Sequence, residues 1–128
     1  MTAAAAGRHL LIVAHGSRRQ ASNEEVRALA ERVAELNQPG IDAVGVAFLE
    51  LAEPSIPEGL GRCVARGARE IVVFPYFLAA GTHVARDIPE ALAEFRDRHP
   101  GVTVRLTRHL GAASALPGIV LDVAAAPE

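Results

Sequence analysis

The sequence has no lysine and no tryptophan, one cysteine, one tyrosine, and only 4% aromatic residues among its 128. Without lysine there is no Schiff-base catalysis, no covalently held pyridoxal phosphate and no P-loop lysine. A single cysteine, Cys63, excludes an internal disulfide and any multi-cysteine metal cluster, and it fits a reducing, cytoplasmic setting. Charge of one sign is also missing: 13 basic residues face 15 acidic ones, for a formal net charge of −2. No like-charged block and no basic stripe interleaved with aromatics occurs, so a nucleic-acid partner has no basis. No apolar run approaches the ~20 residues that cross a bilayer. Residues 1–7 are alanine-rich but lack the basic start and apolar run of a signal peptide. The expectation is therefore no membrane partner, a flexible leader over residues 1–7, and one domain over residues 8–128.

Half of the residues are hydrophobic, drawn mainly from Ala, Val, Leu and Ile. Such a core is aliphatic and suits a buried parallel sheet. Residues 9–14 (HLLIVA), 43–49, 70–76 (EIVVFPY) and 102–107 are short apolar runs that read as strands. Between them apolar residues recur at helical spacing: Val26, Leu29, Ala30, Val33 and Leu36, then Ile56, Leu60, Cys63 and Val64, then Ile88, Ala91, Leu92 and Phe95. Ser22 with Glu25, and Asp87 with Glu90, match the capping-box pattern. Pro39-Gly40 and Gly67 mark helix ends, and the tail from Ala112 reads as a last helix. Alternating strands and helices give an α/β fold, a small doubly wound sheet of about four parallel strands with helices on both faces, in flavodoxin-like topology.

In open α/β sheets, ligands bind beyond the carboxyl ends of the strands, near the point where strand order reverses. His15 follows the first strand, Glu50 the second, and His83 lies in a long loop, residues 77–86, after the third. With strand order 2-1-3-4, that point falls between strands one and three, flanked by the two histidines. Two imidazoles and a carboxylate form a reasonable ligand set for cobalt, nickel or ferrous iron. Arg18, Arg19 and Arg86 stand within a few residues of the histidines and could meet an anionic substrate with bidentate hydrogen bonds. Gly16, Ser17, Gly81 and Thr82 would allow close backbone approach. Glu53 lies in the same turn as Glu50, and His109 follows the fourth strand at the same edge, so both are minor candidates. His9, His99 and Cys63 read as structural residues.

The segments LLIVAHGSRRQASNEEV, AFLELAEPSI and VVFPYFLAAGTHVARDIPEAL resemble the class II chelatases of the sirohydrochlorin (CbiX/SirB-like) type, in their short single-lobe form. The resemblance runs from about Leu10 to Gly111. It implies a chelatase-like lobe and an ATP-independent lyase that inserts Co2+, Fe2+ or Ni2+ into sirohydrochlorin or a related tetrapyrrole, in cobalamin or siroheme biosynthesis. His15 and His83 would be the catalytic and metal-binding pair, with Glu50 completing the metal site. The metal is then a substrate, no organic cofactor is implied, and two copies would build the cleft as a homodimer. A non-catalytic metal or tetrapyrrole carrier would need the same residues. A histidine phosphatase is a poorer fit, because Ala14 stands where an arginine should precede His15-Gly16.

Overall fold

The first apolar run becomes β1 (Arg8–Ala14), whose last four residues are all buried. It occupies the middle of the sheet in a computed structural model that describes residues 7–127. The chain continues through α1 (Gln20–Glu35), β2 (Ala43–Phe48), α2 (Ile56–Ala65), β3 (Glu70–Pro75), α3 (Ile88–Arg98), β4 (Thr103–Leu106) and α4 (Leu116–Ala125). A π-turn, His83–Asp87, runs directly into α3, and a short 3-10 turn, Leu110–Ala112, precedes α4. All four strands are parallel, in the order β2-β1-β3-β4. The order reverses between β1 and β3, so the loops after these two strands diverge and leave a crevice where ligands of such sheets bind.

Alternate residues of each strand face opposite sides. Leu11, Val13, Ile71, Val73 and Val104 point into the main core, where Leu60 of α2 and Leu92 of α3 are fully buried. Gly59 lets α2 lie close, since a Cβ there would stand 2.9 Å from that of Ala47. On the other side Leu10, Ile12 and Phe74 meet Leu29 and Val33 of α1 and Leu116 of α4 across an open apolar cleft of about 480 Å3. Helices therefore lie on both faces, as the strand–helix alternation predicts. Among the described residues no helix is long and apolar enough to cross a membrane.

The helix starts depart from the sequence reading. Helix α1 begins at Gln20 behind Arg19, with no side-chain cap, so Ser22 and Glu25 sit inside its first turns. Asp87 likewise lies in helical backbone and caps nothing. The one reciprocal capping box found in the described helices is Ser55 with Glu58 at α2, where Ser55 accepts from the Glu58 N–H and Glu58 from the Ser55 N–H. Of the leader expected over residues 1–7, residues 1–6 lie outside the described residues. Gly7 is held in place: its carbonyl accepts the N–H groups of Arg69 and Glu70 at 2.7 and 3.0 Å.

His9 is a buried polar residue at the amino end of the sheet, against Cys63 and Arg66 of the α2 region. Burial lowers its imidazole below the ordinary 6.5, the Arg66 charge lowers it further, and Asp42 opposes both. The folded state therefore prefers the neutral ring, and the unfolded chain binds more protons. Stability from this site is complete above about pH 6.5 and is lost as pH falls through the lowered value. Urea midpoints measured from about pH 7.5 down to 5 should decline, and His9→Leu should flatten part of that decline. An unchanged slope in the variant would exclude His9 as its source.

Candidate functional site

Three loops meet at the carboxyl edge of β1, β2 and β3. The β1 and β2 loops extend the sheet ladder, with the Leu49 N–H bonded to the Ala14 carbonyl and the Glu50 N–H to the His15 carbonyl, at 3.0 and 3.1 Å. Gly16 makes this closeness possible. Its φ is +98°, and a Cβ there would fall 1.8 Å from the Glu50 carbonyl oxygen. The position thus packs one loop against the other. Leu51, next to Glu50, is held at φ +66°, a costly conformation for leucine.

Asn23 holds the rest of the first loop. Buried to 3% exposure in α1, it accepts the Ser17 N–H at 3.0 Å and donates to the Ser17 carbonyl at 2.8 Å. The Ser17 hydroxyl in turn accepts the Arg19 N–H at 3.0 Å. Asn23 is not among the residues that the sequence motifs single out. A signal was available: an amide three residues before Val26 and seven before Ala30, in phase with the apolar stripe.

His15, His83 and Glu50 converge as expected from their strand-end positions. The two imidazoles meet edge to face with ring centroids 4.9 Å apart. His15 Nε2 lies 3.3 Å from Glu50 Oε2, and both side chains are about half exposed. His15 Nδ1 is 2.9 Å from the Gly16 carbonyl oxygen, which can only accept, so that nitrogen carries the proton. His83 Nδ1 is 2.7 Å from Asp87 Oδ2 and donates to it. In the neutral rings each Nε2 then holds a lone pair. A lone pair 3.3 Å from a carboxylate oxygen repels it unless a proton or a cation lies between them. Two ligands of one ion, each at ~2.0–2.2 Å and near a tetrahedral angle, have about this separation. The arrangement remains open: among the described residues, no group of three or more His, Cys, Asp or Glu side chains forms a metal cage by itself.

The minor candidates separate clearly. Glu53 is exposed and uses its backbone carbonyl to accept from Arg27 at 2.9 Å, so Glu50 is the carboxylate beside His15. His109 precedes the 3-10 turn, where its carbonyl accepts the Ala112 N–H. His99 stacks on Phe95 at 4.0 Å. Cys63 is buried, which pushes its thiol up and makes it a poor thiolate ligand. Arg18 and Arg19 are exposed beside the His15 loop and form no ion pair among the described residues. Arg86 instead leans on Asp87 Oδ1 at 3.6 Å. Gly81 has open space where a Cβ would be, and Thr82 is exposed just before the π-turn. Gly111, which the sequence reading did not single out, packs against the Leu78 backbone, 1.8 Å from a hypothetical Cβ, and its N–H bonds the Phe77 carbonyl. It ties the end of β4's loop to the loop that carries His83.

The CbiX family model matches residues 9–126 of the chain. A sirohydrochlorin cobaltochelatase from Methanocaldococcus jannaschii is 42% identical over 90 residues, covering 70% of this chain and 62% of that protein. The crystal structure of the sirohydrochlorin chelatase SirB from Bacillus subtilis subspecies spizizenii in complex with cobalt superposes with a TM-score of 0.80 at 30% identity. It matches 90% of this chain but only 48% of SirB. A Marinobacter aquaeolei structure, provisionally assigned as a cobalamin biosynthesis CbiX protein, gives a TM-score of 0.78 at 33% identity and covers 91% and 93% of the two chains. The chain thus spans about half to two thirds of the first two of these proteins and nearly all of the third.

Proposed function

The chain belongs to the CbiX family, and on that premise we propose that it inserts a divalent metal into sirohydrochlorin or a related tetrapyrrole, without ATP, for cobalamin or siroheme synthesis. The carrying observation is the rim where His15 Nε2 stands 3.3 Å from the Glu50 carboxylate and the His83 ring meets that of His15 edge to face, with each Nδ1 bonded elsewhere. Insertion exchanges two pyrrole N–H protons for one M2+, so the site must hold an ion loosely and accept protons near it. His15, Glu50 and His83 hold the ion; His15 and His83 take up the protons. An open ligand set suits transfer, because the ring nitrogens must displace every protein ligand. Arg18 and Arg19, which form no ion pair among the described residues, meet the peripheral carboxylates of the macrocycle. Co2+, Fe2+ and Ni2+ all suit imidazole and carboxylate donors.

We propose also that the working unit is a homodimer. Ile119, Val120, Leu121 and Val123 of α4 are 49–70% exposed, an apolar face unusual for an isolated lobe. The chain matches 48% of SirB, and a second copy joined through α4 would bring a comparable length of chain to the site.

The purified chain should convert sirohydrochlorin to its metal complex, followed by absorbance, with more than one turnover per chain for at least one of the three metals. Binding that stops at one equivalent would reduce the protein to a carrier. Sedimentation should give twice the chain mass, and Val123→Asp should halve it. A monomer with full activity would remove the dimer from the proposal.

A further inference from the structure

We infer that Asp87 is a positioning residue that fixes the tautomer and the direction of the His83 ring; this rests on the chelatase reading only for what the freed Nε2 then does. The pair is set up by the backbone. Pro89 has no N–H to return to the Ala85 carbonyl, so a regular α-ladder cannot run unbroken through this segment. The chain answers with a π-turn, in which the Ile88 N–H bonds the His83 carbonyl five residues back. Residues four apart are neighbours on a helical surface, and Asp87 Oδ2 comes to 2.7 Å from His83 Nδ1.

The carboxylate is held from both sides. Its other oxygen, Oδ1, faces the Arg86 guanidinium at 3.6 Å, and its side chain is only 34% exposed. A carboxylate so placed accepts the Nδ1–H, and the lone pair is left on Nε2, in a ring that meets His15 at 4.9 Å between centroids. His15 obtains the same tautomer from a backbone carbonyl, so the two histidines reach one state by different partners. A carboxylate or carbonyl behind a metal-binding imidazole commonly changes metal affinity 10- to 100-fold.

The test uses the full chain labelled with 15N-histidine, at one fixed pH and without metal. His83 should show a protonated Nδ1 and a bare Nε2. Asp87→Asn, whose amide oxygen still accepts, should keep this pattern, whereas Asp87→Ala should mix or reverse it. In the insertion assay Asp87→Ala should raise KM for the metal about 10- to 100-fold, with a smaller change in kcat, and Asp87→Asn should recover most of the loss. A wild-type His83 protonated at Nε2, or one unmoved by Asp87→Ala, overturns the assignment, and the wild-type spectrum decides even if a variant fails to fold. The expected tautomer in a wild-type chain that inserts no metal supports Asp87's role and counts against the chelatase reading alone.

Discussion

Changing His15 or His83 to alanine should slow metal insertion by about two to four orders of magnitude, the usual contribution of a positioned acid–base group. That range is about 3–5 kcal/mol of transition-state stabilisation. His15 stands between two roles, since its Nε2 lies 3.3 Å from Glu50 and its ring meets that of His83. Alanine removes an ion ligand and a proton acceptor together. Loss should therefore appear in both kcat and KM for the metal. Glu50→Gln removes charge but leaves both imidazoles, so its effect should fall mainly on metal KM. Because the histidine side chains are 43–44% exposed and fill no core space, unfolding midpoints should move little, by about 0.5 kcal/mol or less. Near-wild-type insertion in both histidine variants, measured by sirohydrochlorin absorbance, would discard the mechanism. Equal losses of activity and stability would instead make them structural residues.

The convergence of these groups was legible because it follows from topology. Residues 9–14 and 70–76 are apolar enough to be buried strands in any α/β arrangement, and whatever follows such strands gathers at one edge. His15, Glu50 and His83 needed nothing further to be placed near one another. Asp-x-x-Glu suggests a cap at Asp87, but it is a two-residue pattern that many helical segments match by chance. What decides otherwise is that Asp87 already lies in helical backbone at the end of the π-turn, and a histidine four residues earlier uses the carboxylate. Ser22 failed for a related reason. Asn23 clasps the Ser17 backbone, which pins the loop so that helical geometry begins at Gln20. Both corrections concern contacts between loop and helix, which local patterns do not encode. Arg86 shows the same limit: its position beside the site was readable, but its turn toward Asp87 was not.

Gly16→Ala should be the most damaging small substitution in the chain, costing about 2–4 kcal/mol of stability and most of the insertion activity. Two costs coincide there. A φ of +98° lies beyond the conformations that L side chains adopt with ease, and the new Cβ would overlap the Glu50 carbonyl oxygen, 1.8 Å away. Backbone cannot rotate aside as a flexible side chain can, so the two loops must separate. Separation breaks the hydrogen bond from the Glu50 N–H to the His15 carbonyl and draws Glu50 away from His15 Nε2. The metal KM should therefore rise even at temperatures where the variant is folded, which a purely global destabilisation would not produce. Gly81→Ala is the matching control for stability, because that glycine has open space around it. Denaturant unfolding of the two variants should separate them by at least about 2 kcal/mol. Equal midpoints would mean that the loops yield without cost, and that the spacing of His15 and Glu50 is not set by the glycine between them.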